Sequence, residues 1–229
     1  MRYTNVVCSD CGLVYLTPRP SAEHFAAFYV ELYPELYGKS SIASAADERG
    51  RAVFDFLDAE LGFEAASGVL DIGCGDGALL LAVADGLHER CLPTVALAGC
   101  EPGWPPAAPD ELPHPRGAVR VYRSPVEQLG GLSAYSVYLM YDVIEHLLHP
   151  HAFCSALHDL ASEGATLFVS TSCLDNWSAV PPVGWDSYYL RLAHTFTFSR
   201  STLELLLASA GWQVTAWRAA PRATSGCSR

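Results

Sequence analysis

Four groups of residues have types and spacings that could do chemistry. In Val69-Leu70-Asp71-Ile72-Gly73-Cys74-Gly75-Asp76-Gly77, a short apolar run meets three alternate glycines, and Ala78 to Val83 then supplies helix formers. Glycines so placed allow a tight turn and a close approach of backbone to a ligand at a helix N-terminus. The third glycine, Gly77, comes one residue earlier than a dinucleotide-type G-x-G-x-x-G requires, and Ala78 takes the usual place. Asp71 before the turn and Asp76 inside it set negative charge where a pyrophosphate would sit. The loop therefore suits a cationic ligand, and a nicotinamide dinucleotide is disfavoured. Glu101 ends the next apolar run, Thr94 to Cys100, where a carboxylate can accept hydrogen bonds from two ribose hydroxyls across the crevice above a parallel sheet.

The second group is Asp142-Val143-Ile144-Glu145-His146, and the third is the set of histidines that includes His146, His149, His151 and His194. Imidazole titrates near neutral pH, so each is a candidate general base. His146 is the best placed, because it follows an apolar run at the end of the sheet where parallel strands bind ligands. His149 and His151 flank Pro150 at a helix entrance and read as surface residues; His194 reads either as a base or as a structural residue before the last helix. The fourth group, Cys8-x-x-Cys11-Gly12, has the spacing of a zinc knuckle, but structural zinc needs four ligands and only half a site is visible. Bound zinc is not expected.

The first two groups resemble the class I S-adenosylmethionine-dependent methyltransferases, whose first motif looks like Val69 to Gly77 and whose ribose acid matches Glu101. Ser124-Pro125-Val126-Glu127-Gln128-Leu129 resembles the segment lying against the adenine. Asp142 through Pro150 looks like the stretch after the fourth strand in a large subgroup acting on small molecules, and His194-Thr195-Phe196-Thr197-Phe198-Ser199 with the residues to Val214 resembles its closing helix and strand. This likeness covers roughly residues 69 to 218.

What the resemblance implies can be stated residue by residue. It gives an α/β fold with a Rossmann-like, doubly wound, mostly parallel sheet, and S-adenosyl-L-methionine as cofactor with S-adenosyl-L-homocysteine as product. Asp71, Gly73, Cys74, Gly75, Gly77, Glu101, Val126, Glu127 and Asp142 would surround that cofactor, and His146, with Glu145 and His194, would serve catalysis. The acceptor is expected to be a small molecule methylated on oxygen first, with carbon or nitrogen open. The run Asp142-x-x-Glu145-His146 also resembles the motif that binds a divalent ion in some ubiquinone-pathway O-methyltransferases. The preferred reading is that Glu145 and His146 cap the next helix and form a pocket wall, with no metal. The competing expectation is a methyltransferase-like binding protein that has lost turnover.

Composition bounds the remaining classes. At 229 residues with 50% hydrophobic content, the chain fits one core with a small elaboration. A formal net charge of -11, with no run of Lys or Arg interleaved with aromatics, argues against a nucleic-acid substrate. Eight cysteines at irregular positions read as reduced thiols. No secretory leader pattern is visible, and Leu79 to Leu87 is too short to span a bilayer, so a soluble, cytoplasmic protein without membrane contact is expected. The oligomeric state stays open.

Positioning these residues requires a regular alternation. Residues 1–46 read as a knuckle-like and helical cap, 47–218 as the main domain and 219–229 as a tail. In the cap, a strand at Leu13 to Leu16 precedes a helix entered at Ser21, whose Phe25, Phe28, Tyr29, Leu32 and Tyr33 would lay an aromatic face over the cofactor end. Lys39 to Ala46 reads as a hinge, and Asp47 opens the next helix. Strands are expected at 69–72, 94–100, 118–123, 135–141, 164–171 and 212–218, with helices at 78–89, 125–130, 151–161 and 200–210. Five prolines between Gly103 and Pro115 predict an irregular loop there, and the antiparallel strand that usually ends such a sheet is expected to be missing. Trp177, Trp185, Tyr188 and Tyr189 in the long loop Leu174 to His194 offer an aromatic wall for the acceptor.

Overall fold

The computed structural model describes residues 3–28, 31, 42–63, 66–92, 95–104, 107–115, 117–175 and 193–219. From the N-terminus, β1 (Thr4–Val7) and β2 (Val14–Thr17) form an antiparallel hairpin, followed by α1 (Ala22–Ala27) and α2 (Ile42–Leu61). Then come β3 (Gly68–Ile72), α3 (Ala78–Glu89), β4 (Ala96–Cys100), β5 (Glu111–Leu112), β6 (Val119–Tyr122) and β7 (Val137–Tyr141). After these follow α4 (Pro150–Leu160), β8 (Thr166–Ser170), β9 (Phe196–Thr197) and α5 (Arg200–Ser209). Single 3-10 turns stand at Val126–Gln128, Leu132–Ala134 and Ile144–His146.

The main sheet has the order β5-β6-β4-β3-β7-β8, parallel except for β5. Its central strand β3 is buried along its whole length, as a strand covered on both faces must be. Alternation divides the core between the two faces. Leu70, Ile72, Tyr138, Met140 and Ile144 pack with α4 and α5 through Cys154, Leu157, Leu203 and Leu207. Val69, Val137 and Leu139 pack on the other face with Val53, Phe54 and Leu57 of α2 and Val83 and Leu87 of α3. Each large apolar side chain so buried contributes on the order of 1.5–3 kcal/mol. The α2–α3 contact depends on Gly86, where a Cβ would lie 2.5 Å from the Phe54 ring.

Helix ends follow local chemistry. Pro150 opens α4 at a position with no need of its missing N–H. A reciprocal capping box between Ser199 and Thr202 starts α5, and Ser21 caps α1 by accepting from His24 N at 3.3 Å.

Three expectations change. Helix α2 starts at Ile42, so the expected boundary at residues 46 and 47 falls inside a helix. The proline-rich stretch is not wholly irregular: β5 adds to the sheet edge antiparallel to β6, anchored by Arg123, whose guanidinium donates to Asp110 at 2.6 Å and to the carbonyls of Trp104 and Ala108. The strand expected at 212–218 is absent. Among the described residues nothing pairs with the outer edge of β8, and residues 212–219 run without strand pairing. They are fixed by side chains instead, with Trp212 Nε1 donating to Cys154 O at 2.9 Å and the Arg200 and Arg218 guanidiniums stacked on Trp217 and Phe56. Beyond these, the N-terminal hairpin joins the rest of the fold through pairing. It extends through β2 to β9, forming a second sheet of order β1-β2-β9, and Arg19 donates to Leu148 O at 3.0 Å. Tyr29, Leu32 and Tyr33 lie outside the described residues.

Candidate active site

The carboxyl ends of β3, β4 and β7 converge on the first two groups of sequence candidates. Gly73, Gly75 and Gly77 all take positive φ, at 70°, 56° and 80°, which glycine adopts without a steric penalty. Backbone bonds anchor the loop: Gly73 N and Cys74 N both donate to Cys100 O at the end of β4, at 2.8 and 3.2 Å. The three glycines have different surroundings. A Cβ on Gly73 would lie 2.8 Å from Val143 of the turn after β7, and one on Gly77 would strike Leu112 of β5. A Cβ on Gly75 would meet nothing within 4 Å. The middle of the loop thus faces open space, where a ligand can come against bare backbone.

Glu101 follows β4 and braces this loop. Its Oε2 accepts from Gly75 N at 3.2 Å and its Oε1 from Gly103 N at 2.8 Å. Asp71 lies beneath, 2% exposed, with Oδ2 lacking any hydrogen-bond partner. Burial, and after it the charge of Glu101, pushes the Asp71 carboxyl up to about 8. A buried, unpartnered carboxyl at the foot of an open glycine loop is what a cationic ligand would satisfy. Asp76 has a local task, accepting from Ala78 N at 3.1 Å in the first turn of α3.

The other cofactor candidates divide. Asp142 follows β7 directly with φ 54°, a left-handed conformation that costs a non-glycine residue about 1–3 kcal/mol and tends to occur at ligand sites. Glu127 is exposed on the 126–128 turn, whereas Val126 is packed in the core with Leu132 and Leu157. The Cys74 thiol packs against Gly99 with Trp104 and Val121, so this residue offers a ligand only its backbone.

A few residues past Asp142, Glu145 of the second group and two histidines of the third gather. One donor atom from each of Glu145, His146 and His194 lies within 4.8 Å of the others, and the two imidazoles meet edge to face with centroids 4.8 Å apart. Glu145 is 2% exposed and its Oε2 has no hydrogen-bond partner. Burial, with the charge of Asp142 second, pushes its carboxyl up to about 7 against the opposing pull of backbone N–H groups and Thr171. His146 Nδ1 lies 3.0 Å from Ala193 O. A carbonyl only accepts, so Nδ1 carries the hydrogen and, in the neutral ring, Nε2 holds the lone pair. The donor set could hold a divalent ion or move a proton. His149 and His151 are exposed, as their place beside Pro150 suggested.

Sequence reasoning missed Thr195, which is fully buried between these groups, and it missed the pairing of β2 with β9. A two-residue strand has no periodicity to detect. Trp177, Trp185, Tyr188 and Tyr189 lie outside the described residues. Cys8 and Cys11 occupy the β1–β2 turn, where Gly12 N donates to Cys8 O at 3.0 Å, and hydrogen bonds from Cys11 and Asp10 lower the Cys8 thiol from its ordinary value.

A family model described as a methyltransferase domain matches residues 45–216. The chain belongs to this family. Among solved structures, it is similar to the Burkholderia thailandensis 1,6-didemethyltoxoflavin-N1-methyltransferase, solved with 1,6-didemethyltoxoflavin and S-adenosylhomocysteine, at 18% identity and a TM-score of 0.61 over 96% of this chain and 93% of that one. It is also similar to a mitomycin 7-O-methyltransferase, at 16% identity and a TM-score of 0.57 over 84% of this chain and 56% of that one. A plantazolicin methyltransferase in complex with a monoazolic desmethylPZN analog and SAH gives 15% identity and a TM-score of 0.53 over 81% of this chain and 72% of that one. At these identities the likeness establishes the fold. No curated protein matches the sequence. As members of the family, residues 45–216 include the glycine loop, Glu101 and the Glu145–His146–His194 cluster, while the β1–β2 hairpin precedes them. Among the described residues no helix is long and apolar enough to cross a membrane.

Proposed function

We propose that the protein is an S-adenosylmethionine-dependent methyltransferase acting on a small molecule, with oxygen the first acceptor atom to test and nitrogen or carbon next. The observation that carries this reading is the open cradle at Gly75, bounded by the Glu101 carboxylate and the buried Asp71, in a chain of the methyltransferase-domain family. Neighbouring structures that contain S-adenosylhomocysteine support the choice of cofactor.

The bound cofactor supplies a methyl group already activated on a sulfonium. The chain's own residues then have two tasks, to place the acceptor in line with that methyl and to remove its proton. Asp71, Gly73, Gly75 and Gly77, with the backbone of Cys74, would hold the amino-acid end, and Glu101 would take the ribose. Glu127 and Asp142 would border the rest, and Val126 supports the wall from the core. His146 would accept the acceptor's proton at Nε2 while the acceptor oxygen gains the methyl group, with Ala193 O fixing the ring from the other nitrogen. Glu145 and His194 would adjust the charge around it.

A second reading has its own observation: the compact Glu145, His146 and His194 donor set would suit a divalent ion on the acceptor oxygen. A third is cofactor binding without turnover. The deciding experiment is transfer of a labelled methyl from S-adenosylmethionine across phenolic, hydroxylated and N-heteroaromatic acceptors. Methylated product in the wild-type protein, and much less with His146→Ala, supports the first reading; cofactor binding without product over the whole panel would favour the third.

A further inference from the structure

We propose that Thr195 is the positioning residue of the imidazole pair: its buried hydroxyl and N–H lock the turn that carries His146 against the strand end that carries His194. The proposal rests on the reading of that pair as the acceptor-side chemistry, and deepens it.

Thr195 has no exposed surface. In a segment followed by Phe196 and Phe198, both in the core, a valine would pack as well and would leave no hydroxyl to satisfy. The hydroxyl is used. It lies 2.6 Å from Leu147 O and 3.1 Å from Glu145 O, while the Thr195 N–H donates to Glu145 O at 2.8 Å. These two carbonyls stand on either side of His146, one within and one just after the single 3-10 turn Ile144–His146, which provides no helical ladder to hold them. Thr195 takes both.

The register between the two segments is consecutive. Ala193 O accepts from the His146 ring, His194 sets its ring edge to face against it, and Thr195 binds the backbone before and after His146. A third element joins at the same residue, because Thr195 O accepts from Leu16 N of β2 at 3.0 Å and the β2–β9 pairing starts at Tyr15 and Phe196. One buried threonine therefore fixes the turn after β7, the segment before α5 and the N-terminal hairpin against each other. The single hydroxyl hydrogen goes to the nearer carbonyl, Leu147 O, while the Thr195 N–H takes Glu145 O, and this pair of bonds sets both distance and angle, which apolar contact would leave free.

The test uses the full chain with isotope-labelled histidine, assigned through His146→Gln and His194→Gln. In the wild type, the two rings should show a nuclear Overhauser contact, and the His146 nitrogens should report an Nδ1-protonated tautomer. Thr195→Val should lose the ring contact and the single tautomer, while affinity for S-adenosylhomocysteine, bound at the separate glycine loop, stays within about twofold. Thr195→Ser keeps the hydroxyl and should restore both signals. Thr195→Ala serves if the valine variant does not fold, with the same losses expected. Retention of both signals in the valine or alanine variant would overturn the proposal. So would their loss in the serine variant, or failure of both hydroxyl-free variants to fold while serine folds, since the hydroxyl would then serve the fold as a whole. None of these readouts needs an acceptor, so a rate unaffected by His146→Ala would overturn the base reading and leave the positioning result standing.

Discussion

Glu101 holds Gly75: the Oε2 of the acid after β4 accepts from the N–H at the centre of the glycine loop, at 3.2 Å, before any ligand is considered. The residue expected to bind ribose thus also shapes the loop expected to bind the amino-acid end. Glu101→Ala should weaken binding of S-adenosylhomocysteine by about 1.5–3 kcal/mol, the scale of a hydrogen bond to a charged group, or roughly ten- to a hundredfold and more. Calorimetric titration checks this. A shift in thermal stability with unchanged affinity would make Glu101 a loop brace only.

Asp71 makes the ligand-free protein sensitive to pH. Its carboxyl is raised from an ordinary 3.8 to about 8, so the folded state retains a proton that the unfolded state releases, and stability falls as pH rises from about 4 through about 8. Asp71→Asn should flatten that decline; each kcal/mol recovered near pH 8 would appear as about 2–4 °C in Tm. Melting curves between pH 5 and 9 decide it. Parallel pH dependence in wild type and variant would remove the buried proton from the account.

Chelation separates the two readings of the Glu145, His146 and His194 cluster. With His146 as base, dialysis against a chelator should leave turnover unchanged. Loss on chelation, with recovery on adding a divalent ion, would assign the cluster to a metal.

His146→Ala should lower turnover by about a hundredfold or more on a hydroxyl that ionises well above neutral pH, while sparing cofactor affinity. Since a base works deprotonated, the wild-type rate should rise with pH on its acid limb, and the variant should lack that limb. A fall of less than about threefold with the same limb would leave His146 as a pocket wall.

The legible parts of this fold are those that local chemistry determines. Val69 to Ile72 could be read as a buried strand because apolar residues fill both faces, and Gly73, Gly75 and Gly77 because a tight turn needs positive φ at just those positions. The end of the chain was misread for the complementary reason: Trp212, Val214 and Trp217 look like strand residues, but pairing depends on a neighbour that the segment itself does not encode. Thr195 was invisible because its value lies in two carbonyls 48 and 50 positions away. Of the two matched positions beside the expected adenine, Val126 is buried and Glu127 exposed, a difference that burial sets and the motif does not.

The account's central claim is that the Gly75 cradle receives S-adenosylmethionine. Titration of the purified chain with S-adenosylhomocysteine, with NAD in parallel and with Gly75→Val as control, tests it directly. The wild type should bind S-adenosylhomocysteine saturably at one site and ignore NAD, and the valine variant should keep its circular dichroism yet lose binding, because its branched side chain enters space that no protein atom fills. Absence of S-adenosylhomocysteine binding in the wild type, or equal affinity in a folded Gly75→Val protein, would contradict the claim.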